Sequence, residues 1–300
     1  MVATHGRHHQ LARCLAALAE LDYPRDRVEV LVVDDGSPMP LDRVVAPFHD
    51  RLALTLLSQA RAGPGAARNT GAARAKGAFV AFTDDDCIVS PDWLRALAAR
   101  FEAAPEHLVG GRILNGLRDN PYSSASQLLM DYLYAYHNAD PASARFFTAN
   151  NLAVLAARFR AIGGFDTQYI GMTAEDRELC DRWRSFGDHL TYAPEAVVYH
   201  LHHLGLPSFW RQQFNYGRGA AAFRRALGAR GQSFRLQSLQ FYLGLLRYPW
   251  ARARGRQALV LALLLVVSQL ATATGLLAAS GPWGSGRRAT AIRPVTEVGP

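Results

Sequence analysis

Three consecutive carboxylates, Asp84, Asp85 and Asp86, directly follow the apolar segment 79–82. Adjacent carboxylates repel each other unless a cation lies among them, so this arrangement favours a hard divalent metal with oxygen ligands. The alternative is an acidic loop that only caps the following helix. Residues 90–92, Ser-Pro-Asp, already provide a helix N-cap, which leaves the acids without a capping task. We therefore expect a metal site here.

A metal bound by one or two carboxylates retains open positions, which water and substrate phosphates usually fill. Residues 63–71, Gly-Pro-Gly-Ala-Ala-Arg-Asn-Thr-Gly, form a glycine-rich entry to a helix with Arg68 in its first turns. Helix N-termini of this kind bind anions. The segment matches neither the P-loop nor the G-x-G-x-x-G pattern, so alone it indicates only an anion site.

A second acidic pair, Glu175 and Asp176, opens a helical pattern that contains Cys180, Trp183 and Phe186. Acids in the first turn of a helix interact favourably with its dipole, which is one explanation of the pair. The other is a carboxylate that acts as a general base. Spacing alone does not choose between these two explanations.

Short apolar segments alternate with amphipathic ones in the first part of the chain. Segments 28–33, 52–57 and 79–82 are typical of strands buried on both faces, and helical patterns lie between and after them. This βαβα order predicts an α/β fold with a mainly parallel, doubly wound sheet through about residue 114. Ligands of such sheets bind beyond the carboxyl ends of the strands, where Asp34-Asp35 and Asp84–Asp86 lie.

Composition and charge limit the possible classes of protein. The chain of 300 residues is 49% hydrophobic and 19% charged, which excludes disorder as its main state. Its three scattered cysteines exclude a disulfide framework and a cysteine zinc site. Residues 1–200 carry a formal charge of −4, whereas residues 201–300 carry +12. Only the second part therefore requires a polyanionic partner, and its interleaved aromatics and arginines suit an anionic membrane surface better than nucleic acid.

Residues 257–279 lie in the longest uncharged stretch of the chain, and as a helix they would span about 34 Å at roughly 1.5 Å per residue. We predict a transmembrane helix there, with a buried or re-entrant helix as the alternative. The arginines before it outnumber Arg287 and Arg288 after it, and the first thirty residues contain no apolar signal segment. The expected location is the inner (plasma) membrane, with the preceding residues on the cytoplasmic face.

Seven segments in a fixed order together resemble glycosyltransferase family 2. They are Thr4, Val32–Ser37, Gly65–Gly71, Phe82–Asp86, Gly163–Asp166, Glu175–Leu179 and Pro194–His200. The resemblance covers about residues 1–200. It implies a GT-A fold, a nucleotide-diphosphate sugar donor, Mg²⁺ or Mn²⁺, and transfer with inversion.

The resemblance also implies roles for individual residues. The implied nucleotide-sugar contacts are Thr4, Asp35, Arg68, Asp84 and Asp85; the implied metal ligands are Asp86, Asp84 and His200; the implied catalytic pair is Glu175 and Asp176, with Asp176 as base. Asn150 and Asn151 resemble the segment that flanks the donor sugar, and they either touch the sugar or cap a turn. No Gln-x-x-Arg-Trp motif follows the base, which favours transfer of a single sugar over processive synthesis.

The predicted organisation is a sugar-transfer domain at 1–203, with a nucleotide-binding half at 1–114 and an acceptor half at 115–203. Membrane-surface helices at 204–256, the transmembrane helix at 257–279 and a flexible tail at 280–300 follow. The expected acceptor is a lipid-linked or other membrane-associated glycan, with the nucleotide sugar as donor and no nucleic acid. Two other functions stay open, a nucleotidyltransferase that makes an activated sugar and a non-catalytic membrane scaffold. The chain lacks the lysine-containing phosphate loop expected of a nucleotidyltransferase. The intact acids argue against a non-catalytic scaffold.

Overall fold

The computed structural model describes residues 1–140, 143–169, 173–233 and 237–280. Its strands are β1 (Val2–Thr4), β2 (Val30–Asp35), β3 (Leu54–Gln59), β4 (Phe79–Asp84), β5 (Cys87–Val89), β6 (Leu108–Asn115), β7 (Leu152–Leu155) and β8 (Leu190–His200). Its α-helices are α1 (His8–Ala19), α2 (Asp42–Val45), α3 (Pro64–Arg74), α4 (Trp93–Ala103), α5 (Pro121–His137), α6 (Ala156–Ala161), α7 (Glu175–Ser185), α8 (Leu206–Ala229), α9 (Leu239–Arg252) and α10 (Gly255–Ser280).

The strands form one mixed sheet in the order β3-β2-β1-β4-β7-β6-β8-β5. The pairs β3–β2, β2–β1, β1–β4 and β6–β8 are parallel, whereas β7 runs antiparallel to both its neighbours and β5 runs antiparallel to β8. The predicted parallel βαβα half is therefore confirmed. The second half adds an antiparallel strand at its centre.

Two strands extend farther into polar sequence than their apolar segments predict. The ladder between β2 and β3 continues through Asp34 opposite Ser58 and Asp35 opposite Gln59. Because backbone hydrogen bonds are independent of side-chain polarity, a buried ladder continues past the last apolar residue. The consequence is that Asp35 belongs to a rigid strand and not to a loop.

Three hydrophobic cores hold the helices in place. One lies between the sheet and helices α1 and α4, and a second lies on the opposite face, against α6 and α7. The third joins α5, α8, α9 and α10 through residues such as Leu128, Phe209, Leu245 and Leu265. Residues after the predicted boundary at 203 thus share a core with α5, which belongs to the acceptor half. Helix α5 itself lies in a stretch for which the sequence predicted no element.

Helix α10 begins two residues before the predicted transmembrane segment and ends one residue after it. With a mean hydropathy of 2.1, it is the one helix in the described part of the chain that is long and apolar enough to cross a membrane. A third of the 18-residue segment that has this hydropathy is buried inside the protein. The transmembrane assignment stays a prediction. The predicted flexible tail lies, from residue 281 onward, outside the described residues.

Candidate active site

The predicted nucleotide and metal residues meet at one edge of the sheet because β2, β1 and β4 are neighbours. The register places Thr4 beside Asp34 and Ala3 beside Asp84. Asp35 ends β2, and Asp85 follows β4. Parallel strands direct their carboxyl ends to the same edge, so residues far apart in sequence form one acidic site.

Asp85 accepts hydrogen bonds from Thr4, which ends β1, and from Arg7, which follows it. The Thr4 hydroxyl donates a hydrogen bond of 2.7 Å to one Asp85 oxygen, and Arg7 Nη1 donates one of 3.0 Å to the other. The same Arg7 nitrogen lies 3.0 Å from Asp86 Oδ2. Burial raises the pKa of Asp85 to about 6, although Arg7 and Thr4 oppose the shift. Arg7 was not predicted as a site residue; its place just after β1 was the available signal.

Asp86, Cys87 and His200 form the metal-binding candidate of the described residues, with one ligand atom from each within 4.8 Å of the others. Strand pairing creates this group, because Cys87 lies opposite His200 in the antiparallel β5–β8 register. Asp86 Oδ1 is buried and accepts no hydrogen bond from any residue that the structure describes, and it lies 3.3 Å from His200 Nε2. An oxygen so placed fits a metal ligand.

Within this group, the pKa of Asp86 and the pKa of Cys87 shift in opposite directions. Burial by itself would raise the pKa of Asp86, but His200 and Arg7 hold it well below its usual range. Burial raises the pKa of the Cys87 thiol well above its ordinary value. At neutral pH Asp86 is therefore an ionised carboxylate beside the ring nitrogen of His200, while the Cys87 thiol stays protonated. This donor set fits a first-row divalent ion such as Mn²⁺.

Arg68 connects the two acidic clusters. Its Nη2 donates a hydrogen bond of 2.7 Å to Asp84 Oδ1, and its Nη1 donates one of 3.0 Å to Glu175 Oε1. Only 5% of Arg68 is exposed. Both terminal nitrogens of the Arg68 guanidinium thus bind carboxylates in the structure, whereas the sequence predicted a nucleotide contact for Arg68. Asp84, predicted as both a sugar contact and a metal ligand, is paired with Arg68 rather than grouped with Asp86; these roles stay predictions.

Asp35, a predicted nucleotide-sugar contact, is buried and shapes the loop before α3. One of its oxygens accepts hydrogen bonds from Gln59 Nε2 at 2.8 Å and the Ala62 amide at 2.7 Å. The other accepts one of 2.8 Å from the Gly63 amide. Gly63 has a φ of 92°, a backbone conformation that side chains other than glycine rarely adopt. Asp35 therefore fixes the turn that starts the predicted anion-binding helix.

The predicted base lies in the first turn of α7. Ala174, the residue before this helix, has a φ of 102° and is the only non-glycine residue with positive φ in the part of the chain that the structure describes. Such strain is commonly found at functional sites. Burial, followed by the negative charge of Glu175, raises the pKa of Asp176 to about 7. A helix N-terminus favours the ionised form of a carboxylate, yet the pKa of Asp176 is raised, so helix stabilisation alone does not explain this residue.

Two further residues lie near the acids and were not predicted. Burial and then the charges of Asp176 and Glu175 raise the pKa of Tyr216, which lies on α8. His202 stacks on His200 with ring centroids 4.0 Å apart, and burial lowers the pKa of His202 to about 3, so it is neutral at physiological pH. Helix α8, expected only as a membrane-surface helix, therefore also supplies a side chain to the active-site region.

Asn151 has a structural role. Its side-chain oxygen accepts a hydrogen bond of 2.9 Å from Trp93 Nε1, and its nitrogen donates to the carbonyls of Arg112 and Ala196, each at 2.9 Å. It is fully buried at the irregular point of the β6–β8 ladder. Of the two alternatives for the pair, turn and strand support describes Asn151 better than a sugar contact.

Comparison with known proteins gives matches in sequence. Residues 1–163 match the family model described as "Glycosyl transferase family 2". The pre-mycofactocin glycosyltransferase of Mycobacterium tuberculosis is 32% identical over 202 residues, covering 65% of this chain and 42% of that protein. The validoxylamine A glucosyltransferase of Streptomyces hygroscopicus subsp. limoneus is 28% identical over 224 residues, covering 65% and 49%. The chain thus spans about half the length of the curated relatives it matches.

Solved structures show the same fold at low sequence identity. The mannosyltransferase PcManGT from Pyrobaculum calidifontis, in complex with GDP-Man and Mn²⁺, has a TM-score of 0.63 and 21% identity, and the match covers 93% of this chain and 84% of that one. TarS 1–349 of S. aureus, in complex with UDP-GlcNAc, has a TM-score of 0.52 and 16% identity, covering 93% and 90%. These neighbours support the GT-A fold.

Proposed function

The chain belongs to glycosyl transferase family 2, and from that premise we propose that it transfers one sugar, with inversion, from a nucleotide-diphosphate sugar to an acceptor hydroxyl. The observation that carries this proposal is the contrast between two carboxylates. Asp86 is held ionised beside His200, whereas Asp176 has a pKa of about 7. One suits a metal ligand, and the other suits a proton acceptor.

The proposed reaction is a displacement at the anomeric carbon of the donor sugar. The acceptor oxygen attacks the anomeric carbon, the bond from that carbon to the diphosphate oxygen breaks, and the acceptor proton passes to Asp176. A base is most effective when its pKa lies near the working pH, which Asp176 satisfies. Glu175, fixed by Arg68, keeps a second charge beside Asp176 and thereby contributes to its raised pKa.

We propose that Asp86 and His200 hold the divalent ion. When bound, the ion would offset the negative charge that grows on the departing diphosphate. Since one donor is an imidazole, we propose Mn²⁺ ahead of Mg²⁺ as the working metal. Support comes from PcManGT, whose complex contains Mn²⁺.

The donor and acceptor are also proposals. A UDP-linked sugar is our first choice, with GDP-linked sugars next; the fold neighbours in complex with UDP-GlcNAc and GDP-Man support both classes. Thr4, Asp35, Arg68 and Asp85 are the proposed nucleotide-sugar contacts. We also propose a membrane-associated, lipid-linked acceptor and a location at the cytoplasmic face of the inner membrane; the apolar α10 supports the membrane association.

The test is nucleotide-diphosphate release from a panel of UDP-, GDP- and dTDP-sugars, using membranes that contain the full chain with Mn²⁺, Mg²⁺ or neither. We expect release from one donor, dependent on the metal and lost in Asp86→Ala. Asp92→Ala is the matched control, because Asp92 lies in the same region and its side chain makes no capping hydrogen bond. Release of pyrophosphate in place of the nucleotide diphosphate, or release that Asp86→Ala leaves unchanged, would overturn the proposal.

A further inference from the structure

Helix α10 has two apolar faces: one contacts other helices, and the other is exposed in the part of the chain that the structure describes. The inner face is buried at positions that recur every three or four residues: Ala258, Leu261, Leu265, Ser268, Ala271 and Gly275. The outer face, called here the α10 ridge, is 41–70% exposed at Leu259, Leu263, Val266, Leu270 and Leu277. No charged residue lies between 257 and 280.

The inner face lies in backbone contact with α8. A Cβ atom at Gly275 would be 2.0 Å from the Phe214 carbonyl oxygen, and one at Gly217 would be 2.0 Å from the Thr272 carbonyl oxygen. Thr272 Oγ1 also donates a hydrogen bond of 3.3 Å to the Gln213 carbonyl. Glycines at such contacts let two helices pack at close range. Helix α10 is therefore fixed to α8 along its second half.

Helix α8 is in turn fixed to the catalytic part of the chain. A Cβ atom at Gly219 would be 1.6 Å from the carbonyl oxygen of Thr173, three residues before Asp176. The helix also carries exposed arginines, among them Arg211, Arg224 and Arg225. If α10 crossed a bilayer in this arrangement, α8 and its charges would enter the hydrocarbon beside it. Charged side chains at that depth are costly.

The junction between α9 and α10 has the composition of a membrane interface. Trp250 is 55% exposed, and Arg252, Arg254 and Arg256 are exposed next to it, where the α10 ridge begins. Residues 201–280 contain no aspartate or glutamate, so no acid within this region neutralises those arginines. Exposed aromatic and arginine side chains beside an apolar helix face complement anionic lipid headgroups.

We propose that α10 lies in the plane of an anionic lipid leaflet, with the α10 ridge among the acyl chains and the arginines of the α9–α10 junction at the headgroups. The lipid leaflet, rather than a second copy of the chain, is the occupant of this face. The inference deepens the proposed membrane association and rests on it, but it requires neither the proposed donor nor the proposed reaction.

Depth measurements test the orientation of the helix. In three variants of the full chain, a single cysteine replaces Leu259, Val266 or Leu277 and carries an environment-sensitive fluorophore. The variants are bound to phosphatidylglycerol vesicles, and the fluorescence is quenched by lipids brominated at different depths. The native cysteines are buried, and the chain without an added cysteine is the labelling control. We expect the same shallow depth at all three positions, about 5–10 Å below the headgroups. A deep Val266 between two shallow ends would show a spanning helix, and absence of quenching at all three positions would show a protein-covered face; either result overturns the proposal.

Charge removal tests the lipid chemistry. The triple variant Arg252→Gln, Arg254→Gln, Arg256→Gln is expected to bind anionic vesicles about a hundredfold more weakly, roughly fivefold per arginine. Arg25→Gln, Arg27→Gln, Arg43→Gln removes the same charge from exposed positions on the catalytic part and is the matched control. Equal loss in both variants, or none in the first, would contradict the proposal. Nucleotide-diphosphate release measured on the same samples reports separately whether the proposed function holds.

Discussion

The two acidic clusters of the active site contain the same kind of side chain in opposite electrostatic states. Asp86 lies beside Arg7 at 3.0 Å and His200 at 3.3 Å, and these two neighbours lower its pKa although burial opposes them. Asp176 is partly buried beside Glu175, and its pKa rises to about 7. Two carboxylates whose surroundings move their pKa values apart can perform different tasks, one as a permanent anion and one as a proton acceptor.

Arg68 is the physical link between these clusters. Its two nitrogens contact one carboxylate from each side, Asp84 and Glu175, and leave Asp176 without a direct cationic partner of its own among the ion pairs of the described residues. This sharing explains how Asp176 retains a raised pKa although Arg68 lies nearby. The contrast therefore depends on geometry and not on the number of acids.

Removing the proposed base should have the largest effect. We expect Asp176→Asn to lower kcat by about 10²–10⁴-fold with little change in donor binding, since general base catalysis contributes roughly that factor. Turnover and nucleotide affinity, by calorimetry, give the two readings. Asp181→Asn, farther along the same helix, is the control. If kcat fell by less than tenfold, Asp176 would not be the base.

Breaking the link should destabilise the protein. Arg68→Ala leaves two carboxylates without their buried partner, which typically lowers the free energy of unfolding by about 3–5 kcal/mol. Urea denaturation measures it. The double variant Arg68→Ala, Glu175→Gln removes one of the stranded charges and should recover part of the loss. Equal destabilisation of the single and double variants would mean that the Arg68–Glu175 pair contributes little.

The pH dependence should follow the state of Asp176. Because a base must be deprotonated to accept a proton, kcat/KM should rise about tenfold per pH unit below about 7 and reach a plateau above it. Initial rates between pH 5.5 and 8.5 at saturating metal give the profile. Asp85→Asn is the comparison, because the pKa of Asp85 is also raised, to about 6. A profile whose inflection stayed near 7 in Asp176→Asn would assign it to another group.

The smallest expected effect concerns Arg7, whose side chain is 52% exposed. Its guanidinium occupies the position of a cation between Asp85 and Asp86, so Arg7→Gln should strengthen Mn²⁺ binding in the absence of nucleotide. Half-exposed ion pairs contribute about 0.2–1 kcal/mol, which corresponds to up to about fivefold in affinity. Calorimetric titration with Mn²⁺ measures it, with Arg13→Gln as control. Unchanged or weaker binding would show that Arg7 does not compete with the metal.

The parallel half of the sheet, with acids at its edge, follows from local sequence patterns. Apolar segments flanked by helical patterns have few alternative arrangements, and parallel strands align their carboxyl ends. In the structure β2 and β4 flank β1, so the acids that end these two strands lie at the same edge of the sheet. Gly163 and Gly164, which open one of the seven family segments, both have positive φ in the structure.

The partners of these residues and the position of the C-terminal helices depend on long-range contacts that no local pattern predicts. Arg68 and Glu175 are 107 residues apart in sequence, and neither their pairing nor the approach of Arg7 to Asp85 and Asp86 has a local pattern. The apolar composition of α10 is uniform around its axis, so the sequence alone does not distinguish a helix that spans a membrane from one that packs on a protein. Its buried and exposed faces arise from contact with α5, α8 and α9, because burial depends on which surfaces the rest of the fold brings to the helix.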